Sequence, residues 1–132
     1  MPDYNDILYE TDGRLAYVTL NRPEKLNALS NNLRAEVMDA MKEAEHDDEI
    51  GVIILRANGR SFSAGYDLSP SRTANDDSFV SSRSKLPDTG SMHPGKLQWA
   101  RHVVMTNWII WELAKPVVAQ IQGHCLAGGT EL

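Results

Sequence analysis

Val52-Ile53-Ile54-Leu55, followed by Asn58-Gly59-Arg60-Ser61-Phe62-Ser63-Ala64-Gly65-Tyr66-Asp67, decides how this chain folds. The first run is continuously apolar and largely β-branched, the pattern of a strand buried on both faces. The second is rich in small and turn-forming residues and reads as a loop at that strand's carboxyl end. Upstream, Ser30 is a favourable N-cap for a helix running to about Asp47. Leu33, Val37 and Met41 recur every four residues with Ala40 and Ala44 beside them, forming one apolar stripe. Glu36, Lys42, Glu43 and Glu45 fall mostly off it. Further upstream, Ile7 to Glu10 and Leu15 to Leu20 flank the turn signal Asp12-Gly13 and predict a hairpin. Pro23 then breaks the chain before the helix. Strand, helix, strand in that order predicts a parallel pair joined by a right-handed crossover, and hence an α/β fold.

Beyond this unit the composition changes. Residues from about 69 to 92 mix many serines with Pro70, Pro87, Asp76 and Asp77. They read as a mobile surface loop inside one domain that spans residues 1–132. A helical pattern resumes near Lys96, with Leu97, Val104, Trp108 and Trp111 at three-and-four spacing. Pro116 ends it and opens a third core strand, Pro116-Val117-Val118-Ala119-Gln120-Ile121. Gly123 breaks that strand, and Gly128-Gly129 is expected to open another helix. Strand, glycine loop, helix thus occurs twice.

Composition narrows the function classes. A hydrophobic fraction of 42% is enough for a core. The formal net charge of −5 argues against nucleic acid as the main partner. The single cysteine, Cys125, permits no internal disulfide and fits a reducing compartment. The acidic N-terminus has no signal or transit character, and no apolar run approaches the ~20 residues of a membrane span. The expectation is a cytoplasmic chain without nucleic acid or membrane partners.

The two glycine-bearing loops carry the chemistry. Ser63-Ala64-Gly65-Tyr66-Asp67 follows one strand and Ala127-Gly128-Gly129-Thr130-Glu131 another. Small residues let a ligand carbonyl approach main-chain N–H groups closely. Two loops at the carboxyl ends of sheet strands, where ligands bind in open α/β sheets, can each offer one N–H to the same oxygen. That is an oxyanion hole, and Glu131 beside it can move a proton. A helix opening at Gly128 would add its dipole, which would also stabilise the Glu131 carboxylate in a purely structural role. Taken singly, each loop also fits an ordinary strand-to-helix connection. Gly123 to Thr130 has the spacing of a phosphate-binding P-loop, but Gly129 stands where the lysine belongs, which argues against a nucleoside triphosphatase. His124 and Cys125 are neighbours on an extended segment, so their side chains diverge and do not make a nucleophile pair. His46, His93 and His102 lack ligand spacing, and no metal site is expected. Trp99, Trp108 and Trp111 suit a core or an interface, while the Tyr66 ring is placed to line a ligand channel.

These residues resemble the crotonase family, the enoyl-CoA hydratase/isomerase superfamily. The resemblance rests on Asn21-Arg22-Pro23 with Leu26-Asn27-Ala28-Leu29, on Gly59 to Leu68, and on Lys115-Pro116-Val117-Val118-Ala119 leading into Gly123 and Ala127 to Leu132. It implies a spiral of strand-strand-helix repeats, of which this chain supplies the N-terminal part, and assembly as homotrimers or paired trimers. It implies an acyl-CoA thioester as substrate, with coenzyme A entering as part of that substrate and no separate cofactor. By resemblance the oxyanion donors are the N–H groups of Ala64 and Gly128, and Glu131 is the acid/base. Lys25, Leu26, Ala28, Ala64, Gly65, Tyr66, Asp67, Leu68 and Gly128 fall in the substrate-contacting segments, and Lys25 or Arg60 is placed to meet CoA phosphates. The implied activity is that of a lyase adding water to the 2,3 double bond of an enoyl-CoA in fatty-acid metabolism. Hydration in this family uses a second glutamate, which would lie beyond Leu132. The near alternatives are an isomerase or a 3-hydroxyacyl-CoA dehydratase. A non-catalytic half-domain that binds acyl-CoA or a partner chain is the alternative from another class.

Overall fold

A computed structural model describes residues 3–68, 104 and 107–132. The expected mobile loop at 69–92, the start of the tryptophan helix, Trp99, His93 and His102 lie outside the described residues. Strands β1 (Ile7–Asp12) and β2 (Leu15–Leu20) form an antiparallel hairpin, with Asp12 opposite Leu15. Its two-residue loop has a positive φ of 55° at Gly13 only, which is the backbone requirement of a II′ turn. Helix α1 (Asn31–His46) then crosses over to β3 (Val52–Ala57), which pairs parallel with β2. β4 (Val117–Ala119) adds parallel to β3, giving the order β1-β2-β3-β4. Hairpin, crossover helix and parallel pairing all match the sequence expectation.

The core lies between one face of the sheet and α1. Ala16, Val18 and Leu20 of β2 and Ile53 and Leu55 of β3 point to it and are buried. Leu33, Val37, Ala40, Met41 and Ala44 of α1 meet them, as the apolar stripe requires. Each fully buried Leu, Ile or Val is worth about 1.5–3 kcal/mol relative to an exposed one. The other face differs from expectation. Val52 and Ile54 are only half-buried, so β3 is not covered on both sides by the described residues. That face carries polar contacts instead: the Arg56 guanidinium lies 4.4 Å from the Tyr17 ring centroid and donates to Thr19 Oγ1 (2.9 Å) and Glu10 Oε2 (2.9 Å). β4 is shorter than the expected third strand and sits at the sheet's edge, where Val118 is exposed.

The ends of α1 are fixed by side chains. Ser30 Oγ accepts from the Leu33 N–H at 3.0 Å, the N-cap that the sequence predicts. At the other end, Lys115 Nζ donates to the carbonyls of Ala44 (2.7 Å) and Asp47 (2.6 Å). The Glu45 carboxylate accepts from the N–H groups of Ala114 (2.9 Å) and Lys115 (3.2 Å). A lysine on the last carbonyls of a helix suits both their free lone pairs and the negative dipole end. The Lys115-Pro116 junction is thereby clasped to α1 at the point where β4 begins.

Candidate functional site

Parallel pairing puts the carboxyl ends of β2, β3 and β4 on one edge of the sheet. The three segments that leave those ends meet there: 21–29, 58–68 and 120–131. Residues 58–68 lie in the middle. Ser63 bridges to Cys125, with Ser63 N–H donating to the His124 carbonyl (3.1 Å) and Leu126 N–H to the Ser63 carbonyl (3.0 Å). Tyr66 bridges to Leu29 on the other side, with Leu29 N–H donating to the Gly65 carbonyl (2.8 Å) and Asp67 N–H to the Leu29 carbonyl (3.1 Å).

Two polar side chains hold this arrangement from within. Asn27 is fully buried; its Oδ1 accepts from Arg22 N–H (2.8 Å), and its Nδ2 donates to the carbonyls of Asn58 (2.8 Å) and Ser61 (2.9 Å). Ser63 Oγ donates to the Asn27 carbonyl (2.9 Å) and accepts from Gly65 N–H (3.1 Å). Arg22 Nη1 reaches the Ala28 carbonyl (2.7 Å) and Asp67 Oδ2 (3.1 Å). The motif residues Arg22 and Asn27 therefore organise the loops. Asp67, expected to contact substrate, is engaged by Arg22. Leu26 and Asn27 both have φ of 50°, a left-handed turn that asparagine tolerates better than leucine.

Gly65 and Gly128 bring the loops together. Gly65 has φ of 98°, and a Cβ there would stand 3.0 Å from both Ala127 Cβ and the Leu126 carbonyl oxygen. A Cβ on Gly128 would come within 2.5 Å of the Tyr66 ring. Only glycine allows either approach. Among the described residues the Gly128 N–H donates to no acceptor.

Two expectations need correction. Ala64 is exposed, but its N–H donates to the Leu26 carbonyl at 2.9 Å and is turned toward the 26–29 segment. It is not available as an oxyanion donor. The Tyr66 bridge to Leu29 uses the Gly65 carbonyl and the Asp67 N–H, so alternation turns the Tyr66 N–H to the opposite side. The second correction concerns the helix expected at Gly128-Gly129. Ala127–Thr130 is a single 3-10 turn, with Gly129 N–H donating to the Leu126 carbonyl (2.8 Å) and Glu131 N–H to the Gly128 carbonyl (3.1 Å). Four residues align too few peptides for the expected dipole.

Tyr66 and Glu131 meet. The Tyr66 hydroxyl donates to Glu131 Oε2 and also interacts with the Asn107 side chain. The phenol is pushed up to about 12, first by burial and then by its bond to the Glu131 carboxylate. Arg34 of α1 lies over the ring, its guanidinium carbon 5.6 Å from the ring centroid. Arg34 is 2% exposed, and burial lowers its pKa from the ordinary value. Nη2 donates to Asn31 Oδ1 (2.7 Å), whereas Nε and Nη1 have no hydrogen-bond partner among the described residues. Sequence reading missed Arg34, although its place among Leu33, Val37 and Met41 on the apolar stripe was a signal. A cavity of about 360 Å³ has Ile110, Trp111, Leu113 and Val117 among its apolar walls and Glu131 on its lining.

The remaining candidates scatter. Lys25 and Arg60 are exposed at the rim, Ala28 and Leu26 are half-buried, and Leu68 is 92% exposed. His124 is exposed, while the Cys125 thiol packs on the Gly129 carbonyl at 3.2 Å, so the two do diverge. Trp108 and Trp111 are exposed rather than part of the described core.

The fold is thus an α/β scaffold on which, among the described residues, the Glu131 carboxylate lies beside a backbone cleft opened by glycines. The chain belongs to the enoyl-CoA hydratase/isomerase family, whose model matches residues 10–132. It is 35% identical to EchA13 of Mycobacterium tuberculosis, classed as an enoyl-CoA hydratase, over 98% of this chain and 43% of that protein. It is 31% identical to a trans-2-decenoyl-[acyl-carrier-protein] isomerase of Streptococcus mutans, over 92% of this chain and 41% of that protein. A solved Legionella pneumophila structure, classed as an enoyl-CoA hydratase/isomerase (crotonase), superposes with a TM-score of 0.73 at 30% identity. The match covers 94% of this chain and 42% of that one. The fold is therefore crotonase-like, and the chain spans less than half the length of these relatives.

Proposed function

We propose that this chain carries the oxyanion-binding part of an enzyme that adds water across the 2,3 double bond of an enoyl-CoA thioester. The observation that carries this reading is the meeting of Gly128, the Gly65–Tyr66 backbone and Glu131 at one edge of the sheet. The thioester oxygen would accept from the Gly128 N–H and, in place of Ala64, from the Tyr66 N–H. As water attacks C3, negative charge moves onto that oxygen, and fixed donors stabilise it without reorganising. Loss of one such donor costs about 2.7–4 kcal/mol of transition-state stabilisation. Glu131 would take a proton from the water and return one to C2. Leu26, Ala28 and Leu68 would pack on the CoA moiety, with Lys25 and Arg60 at the rim near its phosphates. Coenzyme A arrives with the substrate, and assembly as a trimer or pair of trimers belongs to the same proposal.

A second reading, double-bond isomerisation, is favoured by the single carboxylate that the described residues bring to the cleft. One base can carry a proton from C4 to C2, and one of the relatives is an isomerase. Hydration of crotonyl-CoA, followed by loss of the enoyl absorbance, tests the first reading. Glu131→Gln is expected to reduce turnover by more than about a hundredfold while acyl-CoA binding persists. Unchanged hydration in Glu131→Gln would remove this carboxylate from the mechanism. Migration of the double bond without hydration would favour the isomerase.

A further inference from the structure

The Tyr66 side chain occupies a place that the proposed chemistry does not use. Its ring lies against the Cα of Gly128 on one side and faces the buried Arg34 guanidinium at 5.6 Å. Its hydroxyl reaches the Glu131 carboxylate from a position 65 residues away in sequence. Three elements therefore fix one phenol: α1 through Arg34, the 127–131 turn through Gly128 and Glu131, and the 107–112 helix through Asn107. A guanidinium near an aromatic face is attracted by the ring's negative quadrupole, more strongly where both are withdrawn from water. Among the described residues two of the Arg34 nitrogens have no hydrogen-bond partner, and the ring and Asn31 are two of its neighbours.

We infer that Tyr66 is a positioning residue for Glu131: its hydroxyl holds the carboxylate in one rotamer beside the Gly128 N–H, and Arg34 holds the ring. The inference rests on the hydration reading only for its catalytic consequence, since the clamp itself is a matter of geometry. Glu131 is exposed, and an exposed glutamate side chain has several rotamers of similar energy. A bond from a phenol that is itself fixed at the ring removes most of that freedom. A carboxylate held in place can meet a reacting atom without first being ordered, which is where orientation contributes to rate. Among the described residues the charged groups near this pair include Arg34 from α1 and Lys115, which lines the same cavity as Glu131 and has its ammonium on the carbonyls of Ala44 and Asp47. Neither is the donor to the Glu131 carboxylate; the phenol is.

Two measurements test this. The first needs no activity. In protein labelled with 13C at tyrosine Cζ, Tyr66 is identified as the resonance absent from Tyr66→Phe. It is expected to move on Glu131→Gln, with Tyr4, Tyr9 and Tyr17 unmoved. A Tyr66 resonance indifferent to Glu131→Gln would overturn the clamp. The second follows crotonyl-CoA hydration by the enzyme containing this chain. Tyr66→Phe is expected to lower kcat about tenfold with KM within about twofold, since orientation and not binding is lost. A moved resonance together with an unchanged kcat would overturn the positioning role. Hydration that survives Glu131→Gln, or is missing from the parent enzyme, refutes the hydratase reading instead, and the labelled spectra still decide whether the clamp exists.

Discussion

At the scale of single residues, Tyr66 makes the site's pH dependence predictable. Its phenol ionises at about 12 in the fold, against 10 for an ordinary tyrosine. Below pH 10 the folded and unfolded chains both keep the proton, and the contribution of Tyr66 to stability is complete. As pH rises from 10 to about 12 the unfolded chain ionises first, so that contribution is progressively lost. Urea midpoints should therefore place Tyr66→Phe below the parent protein by a constant margin up to pH 10, with the margin closing toward about pH 12. Tyr4 and Tyr9 are also raised by burial, but they are common to both proteins and drop out of the difference. A margin that stays flat across this window would mean that the phenol is not held as described. The sequence placed Tyr66 in the correct loop but could not name its partner, because the contact depends on how the 58–68 and 127–131 segments are juxtaposed. Ala64 shows the same limit from the other side. Small size marked it as permissive, yet the direction of its N–H is set by the left-handed turn at Leu26 and Asn27, which composition does not reveal. Asn27 was legible as part of a motif, but its role as the buried tie among Arg22, Asn58 and Ser61 emerged only from the fold.

At the scale of elements, legibility follows how local the deciding physics is. α1 was readable because its cap and its apolar stripe are written within one stretch of chain. The hairpin was readable because one glycine supplies the positive φ of its turn. β4 was readable as a strand but not as an edge, since exposure of Val118 depends on what else packs there. The Ala127–Thr130 segment reads as a helix start because two glycines before a polar pair satisfy that signal, and it takes a single 3-10 turn here. Lys115 links two of these elements. Its ammonium satisfies two carbonyls at the end of α1, and its own N–H is held by Glu45. Lys115→Met keeps most of the apolar stem but removes the ammonium that donates to those two carbonyls. The variant is expected to lose about 1–3 kcal/mol of stability in urea denaturation, the usual range for leaving buried acceptors unmet. The same variant should show faster amide exchange at Val117 to Ala119, because β4 loses its anchor to α1. A loss below a few tenths of a kcal/mol would show that water replaces the ammonium without cost.

At the scale of the whole molecule, the parallel order β2-β3-β4 is what turns three separate loops into one cleft. The cleft is continuous with the core under α1: Tyr66 packs against that core, and Arg34 of α1 faces the Tyr66 ring. Gly128 sits at the same contact. An added methyl there would stand 2.5 Å from a Tyr66 ring carbon, and the ring also faces Arg34. The ring must therefore swing away or the 127–130 turn must lift, and either movement separates the Gly128 N–H from the Tyr66 backbone. Tyr66 packs against the core and Arg34 belongs to α1, so the change disturbs one border of the core while the packing of β2 and β3 on the apolar stripe of α1 lies outside the clash. Under the proposed function, a saturated acyl-CoA binds the native cleft without reacting. A concentration one hundred times its Kd would then stabilise the protein by about 2.7 kcal/mol, read as a rise in Tm. Gly128→Ala is expected to lower the Tm in the absence of ligand, since the Tyr66 contact is displaced, and to lose most of the ligand-induced rise measured from that lower starting point. Under the same proposal free coenzyme A separates the two parts of the cleft: it would occupy the outer segment at Lys25, Leu26 and Arg60 but has no thioester oxygen to offer Gly128. A smaller rise with coenzyme A that Gly128→Ala leaves intact would locate the lost energy at the thioester. A full acyl-CoA response in Gly128→Ala would instead place the ligand away from the Gly128–Tyr66 contact, and the oxyanion reading of these two loops would fall with it.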